Sequence, residues 1–356
     1  MEIRDLSVVR PPVEPLDPAR LPFGKTFSPN MFLMEWEADR GWHDPRIVPF
    51  GPLSLSPATA VLHYGQEIFE GLKAFRHADG SVYVFRPDRN AARFNRSARR
   101  MSMPELPVQW HLEAIRALVR RDQAWTPPRP GALYIRPAMI ATEEALGVKS
   151  SSRFLFFIIT GPTGPYFNTE GGVRILVARD WVRAAPGGTG FAKTGGNYAA
   201  SLLAGEEAKR RGCHQVMWLD AVERRHVEEV GAMNLMFVCD GVVTTPPTSG
   251  TILEGVTRES IGVVCRELGI PFVERAIHIE EVFNGLQTGD CTEIFGCGTA
   301  AVVSPVGELV DVVDGKEIVY RVGDGGEGPI ARLLRETLTG IQYGDRPDTH
   351  GWLMAV

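Results

Sequence analysis

The segment Gly187-Gly188-Thr189-Gly190-Phe191-Ala192-Lys193-Thr194-Gly195-Gly196-Asn197-Tyr198 sets five glycines around one lysine, in a chain that has only six lysines. Glycine lets a backbone approach a ligand closely and take up positive φ. An amine in such a loop becomes a nucleophile or proton carrier when burial or a neighbouring cation lowers its pKa. Two sharper patterns compete for the glycines. Gly187 to Thr194 falls short of a phosphate-binding P-loop, because Ala192 stands where glycine is needed and Gly195-Gly196 oppose the helix that should open at the lysine. Gly296-x-Gly298-x-x-Ala301 imitates a dinucleotide fingerprint, but Val302-Val303-Ser304-Pro305 favour a strand where that fingerprint needs a helix.

Other residues carry chemistry at shorter range. Tyr134 and Arg136 fall on one side of a predicted strand, where a phenol and a guanidinium can hold a carboxylate or simply face solvent. Glu228-Glu229 precede an apolar run and offer a partner to a buried cation, unless they are merely exposed. Arg86, Arg89, Arg93, Arg96 and Arg100 recur at helical spacing. That stripe reads as a solvated face, and no aromatic residues interleave with it to stack bases. The sequence shows no metal-ligand spacing, so no metal is expected.

The elements that must position these residues are legible in outline. Met31 to Trp36 is a predicted strand. Gly71 to Arg76 and Ser81 to Arg86 form a hairpin about Asp79-Gly80. Helices are predicted from Asp88, as N-cap, through Met101, and over His111 to Ala124. Ala132 to Ile140 and Phe154 to Thr160 are strands, the second apolar on both sides and so central in its sheet. Gly161 to Gly172, rich in glycine and proline, reads as the linker region. Strands follow at Val173 to Ala178, Val216 to Leu219, Leu235 to Val238, Cys291 to Phe295 and Ala300 to Ser304. Helices are expected at 198–211, 258–268, 280–286 and 328–341. Strands and helices mix in both halves without a regular βαβ rhythm. The reading is α/β with α+β-like mixed sheets. It has a small domain over 1–163, a linker over 164–174 and a larger domain over 175–356 that carries Lys193.

Composition narrows the function classes. The chain of 356 residues is 44% hydrophobic and 23% charged, with a net charge of −5. Those are ordinary globular proportions, and a net acidic chain argues against nucleic acid. Five cysteines, none in C-x-x-C, argue for reduced thiols rather than a disulfide framework. The first twenty residues lack the apolar core of a signal peptide. No run approaches the roughly 20 apolar residues of a membrane span. A cytoplasmic protein is expected.

Taken in order, these segments resemble the branched-chain amino acid aminotransferases, pyridoxal-phosphate enzymes of fold type IV. The resemblance rests on Phe23-Gly24-Lys25-Thr26-Phe27, His63-Tyr64, Phe69-Glu70-Gly71-Leu72-Lys73-Ala74-Phe75, Leu133-Tyr134-Ile135-Arg136-Pro137, Lys193-x-Gly195-Gly196-Asn197-Tyr198, Glu229-Val230-Gly231, Gly255-Val256-Thr257-Arg258, Phe295-Gly296-x-Gly298-Thr299-Ala300 and Ile341-Gln342-Tyr343-Gly344. It covers nearly the whole chain and implies the two-domain architecture of that fold type.

The resemblance implies specific roles. Lys193 would form the Schiff base with the cofactor pyridoxal 5'-phosphate and carry the proton. Arg93, the backbone at Val256 and Thr257, and Thr299 would hold the phosphate. Tyr198 would bond the ring hydroxyl, and Glu229 would pair with the ring nitrogen. Phe23, Tyr64, Phe69 and Tyr166 would wall an apolar substrate pocket. The Thr299 and Ala300 amides would take the α-carboxylate, Tyr134 and Arg136 the distal carboxylate of glutamate. Val148 would reach the neighbouring subunit of a homodimer. The implied reaction moves the amino group of leucine, isoleucine or valine to 2-oxoglutarate by a ping-pong route through the pyridoxamine form. Arg93 is thereby removed from the solvated stripe; the other four arginines stay on it. Ala232 departs from relatives that carry threonine there, and Ala301 and Ser304 stand where animal relatives carry a C-x-x-C pair.

Overall fold

The computed structural model describes residues 1–165 and 171–356. It divides into two compact units. The first comprises Met1–Tyr166, Ala192–Gly195 and Ile341–Val356; the second comprises Phe167–Phe191 and Gly196–Gly340. Among the described residues no helix is long and apolar enough to cross a membrane.

The first unit is built on a nine-stranded mixed sheet. Arg153–Thr163 lies between Asn30–Glu37 and Ala132–Ala141, antiparallel to both. Its unbroken apolar run Phe154 to Ile159 suits a strand with neighbours on both edges. Leu72–Arg76 and Val82–Phe85 form the expected hairpin, with Gly80 at φ +86°. The short strand Glu67–Phe69 pairs with Ala132–Ala141. Two helices, Pro87–Arg100 and Val108–Arg121, pack Phe94, Ala98, Ile115 and Leu118 onto the sheet against Phe32 and Phe156.

The second unit also holds nine strands. Val227–Val230 pairs with Gln215–Leu219 on one edge and with Met233–Cys239 on the other. The remaining pairings run on through Val173–Val177, Val302–Val313 and Cys291–Gly298 back to Met233–Cys239, so six strands close into a ring. At the closing seam Val230 and Met233 pair across Gly231-Ala232, with Gly231 at φ +55°. A two-residue hairpin needs positive φ there. The exposed Ala232 sits at this tip. The ring is filled by Ile175, Met217, Leu235, Phe237, Ile294 and Leu309 among others.

Several expectations need correction. The main division, between 166 and 167, falls within the expected linker, but two later segments return to the first unit. Leu353–Ala355 pairs with Val82–Phe85, which draws the C-terminal segment into the first unit. The segment 192–195 joins it through bonds to the strand Glu67–Phe69. The helix predicted from 198 to 211 is two helices, Gly195–Ala199 and Leu202–Arg210. A helix thus does open at Gly195, despite the glycine pair. The strand predicted over 300–304 is Val302–Val313, entered at Val302 with φ +61°. Asp88 lies in the first turn of its helix; the cap position is Arg86. Arg86 is also buried, 5% exposed, with its guanidinium 4.8 Å from the Trp352 ring centroid, so it does not belong to a solvated stripe.

Candidate active site

In the first unit Lys193 is fixed by its flanking backbone. Its N–H donates to Ser97 Oγ at 2.9 Å, and its carbonyl accepts the Phe69 N–H at 3.0 Å. Thr194 Oγ1 donates to the Glu67 carbonyl at 2.7 Å, and the Gly195 N–H donates to Glu67 Oε1. A Cβ at Gly195 would meet that oxygen, so a larger residue there would displace the Glu67 side chain from the amide. The loop therefore runs along the open edge of the strand Glu67–Phe69 much as another strand would. The Lys193 ammonium lies 4.7 Å from the centroid of the Phe69 ring.

Behind this loop Arg93 and Glu70 form a buried pair. Arg93 Nε and Nη2 reach the two carboxylate oxygens at 2.7 and 2.8 Å, and Asn90 donates to the same carboxylate at 2.7 Å. Burial acts to raise the Glu70 pKa, but the charge and hydrogen bonds of Arg93, with Lys193 and Asn90, outweigh it and hold the carboxyl low. Helical spacing alone gave no sign that Arg93 turns inward; it is 4% exposed.

Tyr134 and Arg136 meet as predicted. Arg136 Nη2 donates to Tyr134 Oη at 2.8 Å, and the guanidinium lies 4.6 Å from the Phe69 ring centroid. Phe23 meets Tyr134 edge-on at 4.8 Å. Phe23, Phe69 and Tyr134 thus form an aromatic wall with one guanidinium against it. Arg136 Nε is buried and finds no acceptor among the described residues. A buried donor of this kind is open to an ordered water or to a bound acceptor. The exposed Tyr64 donates its hydroxyl to the Leu146 carbonyl, two residues before the exposed Val148. Tyr166 lies outside the described residues.

In the second unit Glu229 is 3% exposed on a strand buried along its length. Its Oε2 lies 2.8 Å from Arg183 Nε. Its Oε1 accepts from the Leu253 N–H at 3.0 Å and from Asn234 Nδ2 at 3.1 Å. A cation and two donors favour the ionised form of a buried carboxylate. Glu228 points elsewhere and bonds Thr251; burial raises its pKa against the pull of that hydroxyl and of Arg183.

Arg183 and Asn234 were not singled out from the sequence. Arg183 also donates to the carbonyls of Gly190 and Thr251, which ties the glycine loop to Glu229. Asn234 bonds the Leu253 carbonyl at 2.9 Å, and its Oδ1 fills the space a Cβ at Gly255 would need. Asn234 follows Glu229 across the hairpin, which is the one sequence signal that could have found it.

Gly255 caps the helix Val256–Glu267, which carries no side-chain cap. Its first amide groups and the buried Thr257 make an N-terminus able to receive an anion. Thr299 and Ala300, both half-buried, lie in the turn between Cys291–Gly298 and Val302–Val313. Strand therefore follows turn at Gly296-x-Gly298, and the dinucleotide reading falls. Tyr198 is half-buried on the short helix after Lys193; beside it, Asn197 Oδ1 and Nδ2 bond the Thr189 hydroxyl and carbonyl at 2.7 and 2.8 Å. No group of metal-ligating side chains occurs among the described residues.

Comparison with known proteins shows the family. The branched-chain-amino-acid transaminase 1 of Bacillus subtilis is 50% identical over 343 residues, which is 96% of this chain and 95% of that protein. The branched-chain-amino-acid aminotransferase of Mycolicibacterium smegmatis is 48% identical over 340 residues, 93% of this chain and 91% of that one. The crystal structure of a T.th. branched-chain amino acid aminotransferase complexed with N-(5'-phosphopyridoxyl)-L-glutamate superposes with a TM-score of 0.73 at 30% identity, covering 90% of this chain and 97% of that one. The T.th. enzyme has also been solved with 4-methylvaleric acid. Residues 67–309 match the family described as Amino-transferase class IV, and the chain belongs to that family.

Proposed function

We propose that this chain transfers the amino group of L-leucine, L-isoleucine or L-valine to 2-oxoglutarate, giving branched-chain 2-oxo acids and L-glutamate by a ping-pong route. The observation that carries the reading is the aromatic wall of Phe23, Phe69 and Tyr134 set beside one guanidinium whose Nε lacks an acceptor. A pocket for both substrates needs an apolar surface for an aliphatic side chain and one cation for a distal carboxylate. The structures of the T.th. enzyme with N-(5'-phosphopyridoxyl)-L-glutamate and with 4-methylvaleric acid support this reading.

The residues present fit pyridoxal 5'-phosphate as cofactor. Glu229, buried and paired with Arg183, suits a pyridine nitrogen that must stay protonated. The N-terminus at Val256 and Thr257, with Thr299, suits a phosphate; the family resemblance adds Arg93 of the first unit to that role. Tyr198 suits the ring hydroxyl, and Lys193 is the amine that bonds the aldehyde carbon. When bound, the cofactor supplies an electron sink and a carrier for the amino group.

The chain's own side chains then have distinct tasks. Lys193 would hold and move a proton at its Nζ while its backbone stays pinned to Ser97 and Phe69. Thr299 and Ala300 offer amides to the α-carboxylate. Tyr134 and Arg136 receive the distal carboxylate of glutamate, and Phe23, Phe69, Tyr64 and Tyr166 exclude water from an aliphatic side chain.

The proposal includes a homodimer, in which Val148 serves the neighbouring subunit. Leu62, Leu146 and Val148 are 60%, 65% and 85% exposed, and the Tyr64–Leu146 bond brings their segments together into an apolar patch. The proposed compartment is the cytoplasm, which suits five unbridged cysteines.

The experiment is the visible absorption spectrum of the purified protein. The expected result is a yellow chromophore that bleaches with L-leucine and returns with 2-oxoglutarate. A chromophore that only D-leucine bleaches would remove the substrate assignment and leave the family. Sedimentation velocity checks the dimer.

A further inference from the structure

Glu67 and Phe69 lie two residues apart on one strand and therefore on one face. Glu67 pairs in register with Ile140 and Phe69 with Ala138. Arg136 is the next residue on that same face of the partner strand, and its guanidinium is drawn over the Phe69 ring. Glu67, Phe69 and Arg136 thus form a row. The two carboxylates of the segment are divided between its cations. Glu70 is held by Arg93 and Lys193, whereas the charge acting on Glu67 is that of Arg136. Burial raises the Glu67 carboxyl above its usual range, opposed by the Gly195 amide and by Arg136.

A pocket that alternates between an aliphatic and an anionic side chain has an electrostatic difficulty. With an aliphatic group bound, a half-buried guanidinium faces apolar surface without a counter-charge, which is unfavourable. The same cation, left alone, also favours a dicarboxylate over an aliphatic acid. A carboxylate near the guanidinium relieves both, because discrimination is a difference between affinities and repulsion contributes as much as attraction.

We infer that Glu67 is a specificity-determining residue, whose carboxylate balances Arg136 while an aliphatic side chain is bound and weakens capture of a substrate side chain that ends in a carboxylate. The inference rests on the reading that Arg136 receives the distal carboxylate. It assigns Glu67 a second task beside holding the Gly195 amide, and the two tasks separate by substitution. Glu67→Gln keeps a side-chain oxygen for that amide and removes the charge. Glu67→Asp keeps the charge and shortens the reach.

The test is calorimetric titration of the holoenzyme with two unreactive acids, glutarate and 4-methylpentanoate. Glu67→Gln is expected to tighten glutarate about fivefold, the scale of one partly screened charge pair, while 4-methylpentanoate stays the same or weakens. Glu67→Asp should keep the wild-type ratio of the two. Glu67→Ser, neutral and without the amide contact, should shift the ratio as Gln does, and it decides the matter if Gln does not fold. Equal changes for both acids, or a ratio that moves with Asp and not with Gln, would overturn the inference. Arg136→Met serves as the control on the underlying reading. If it leaves glutarate binding intact, the Arg136 assignment itself fails. If it weakens glutarate while Glu67→Gln and Glu67→Ser leave the ratio alone, only the role of Glu67 fails.

Discussion

Lys193 Nζ stands 4.7 Å from the centroid of the Phe69 ring, against which the Arg136 guanidinium also rests at 4.6 Å. One aromatic side chain therefore supports two of the cations that the proposed chemistry uses, Lys193 and Arg136. An interaction of this kind is worth about 0.5–2 kcal/mol according to how far the cation is desolvated. Phe69→Leu keeps an apolar side chain of similar bulk. It should lower kcat/KM for leucine and glutamate alike, by about tenfold, with little change in melting temperature. Steady-state kinetics with both substrates check this. A loss confined to one of them would mean that only one cation depends on the ring.

Arg136→Ala should harm turnover with glutamate more than with leucine, because an aliphatic side chain makes no use of the guanidinium. The comparison of the two kcat/KM values is the measurement. Equal losses would show Arg136 to be structural.

Arg183→Ala leaves Glu229 in place and removes the cation beside it. A buried carboxylate stripped of its partner destabilises a fold by roughly 3–5 kcal/mol, or shifts toward its neutral form. The expected outcome is a lower melting temperature together with weaker retention of pyridoxal 5'-phosphate on dialysis. Arg183→Lys should restore part of both. Retention unchanged despite a lower melting temperature would separate Arg183 from the cofactor.

His111 is buried among Phe94 and Phe156, with ring centroids 5.0 and 5.2 Å away. Burial pushes its pKa down to about 4, against a small opposing pull from Glu70. The unfolded chain therefore binds a proton between roughly pH 6.5 and 4 that the folded one refuses, so stability falls as pH drops through that window. The effect is on the order of 3 kcal/mol at most. Urea unfolding of His111→Phe should show a shallower loss between pH 6.5 and 4 than the wild type, and an identical slope would count against it.

Cys239 is half-buried and pairs in register with Cys291 across adjacent strands. The hydrogen bond from Cys291 lowers its pKa, with help from Arg275 against burial and Glu281. Burial takes Cys265 to about 11 and Cys297 to about 12, and raises Cys213. Only the thiolate reacts readily. One fast thiol is expected with an aromatic disulfide reagent on the native protein, absent in Cys239→Ser. A fast phase that persists in that variant would refute the assignment.

Local pattern by itself determined much of this protein. The apolar run from Phe154 to Ile159 required a strand with two neighbours, and the hairpin about Asp79-Gly80 required positive φ at glycine. Five glycines around Lys193 marked the loop, and the order of the motifs marked the family. These signals lie within a few residues of one another, where periodicity and turn chemistry act. Tertiary structure alone decided which charges meet. Arg93 and Arg86 read as members of one exposed stripe until Glu70 and Trp352 drew them into the interior. Arg183 carries no local signature and reaches Glu229 from a loop 46 residues away in sequence, whereas Asn234 meets Glu229 across a local hairpin. The Glu67–Gly195 bond spans 128 residues. A buried charge takes whichever partner the chain's long-range pairing delivers, and sequence spacing holds no record of that distance.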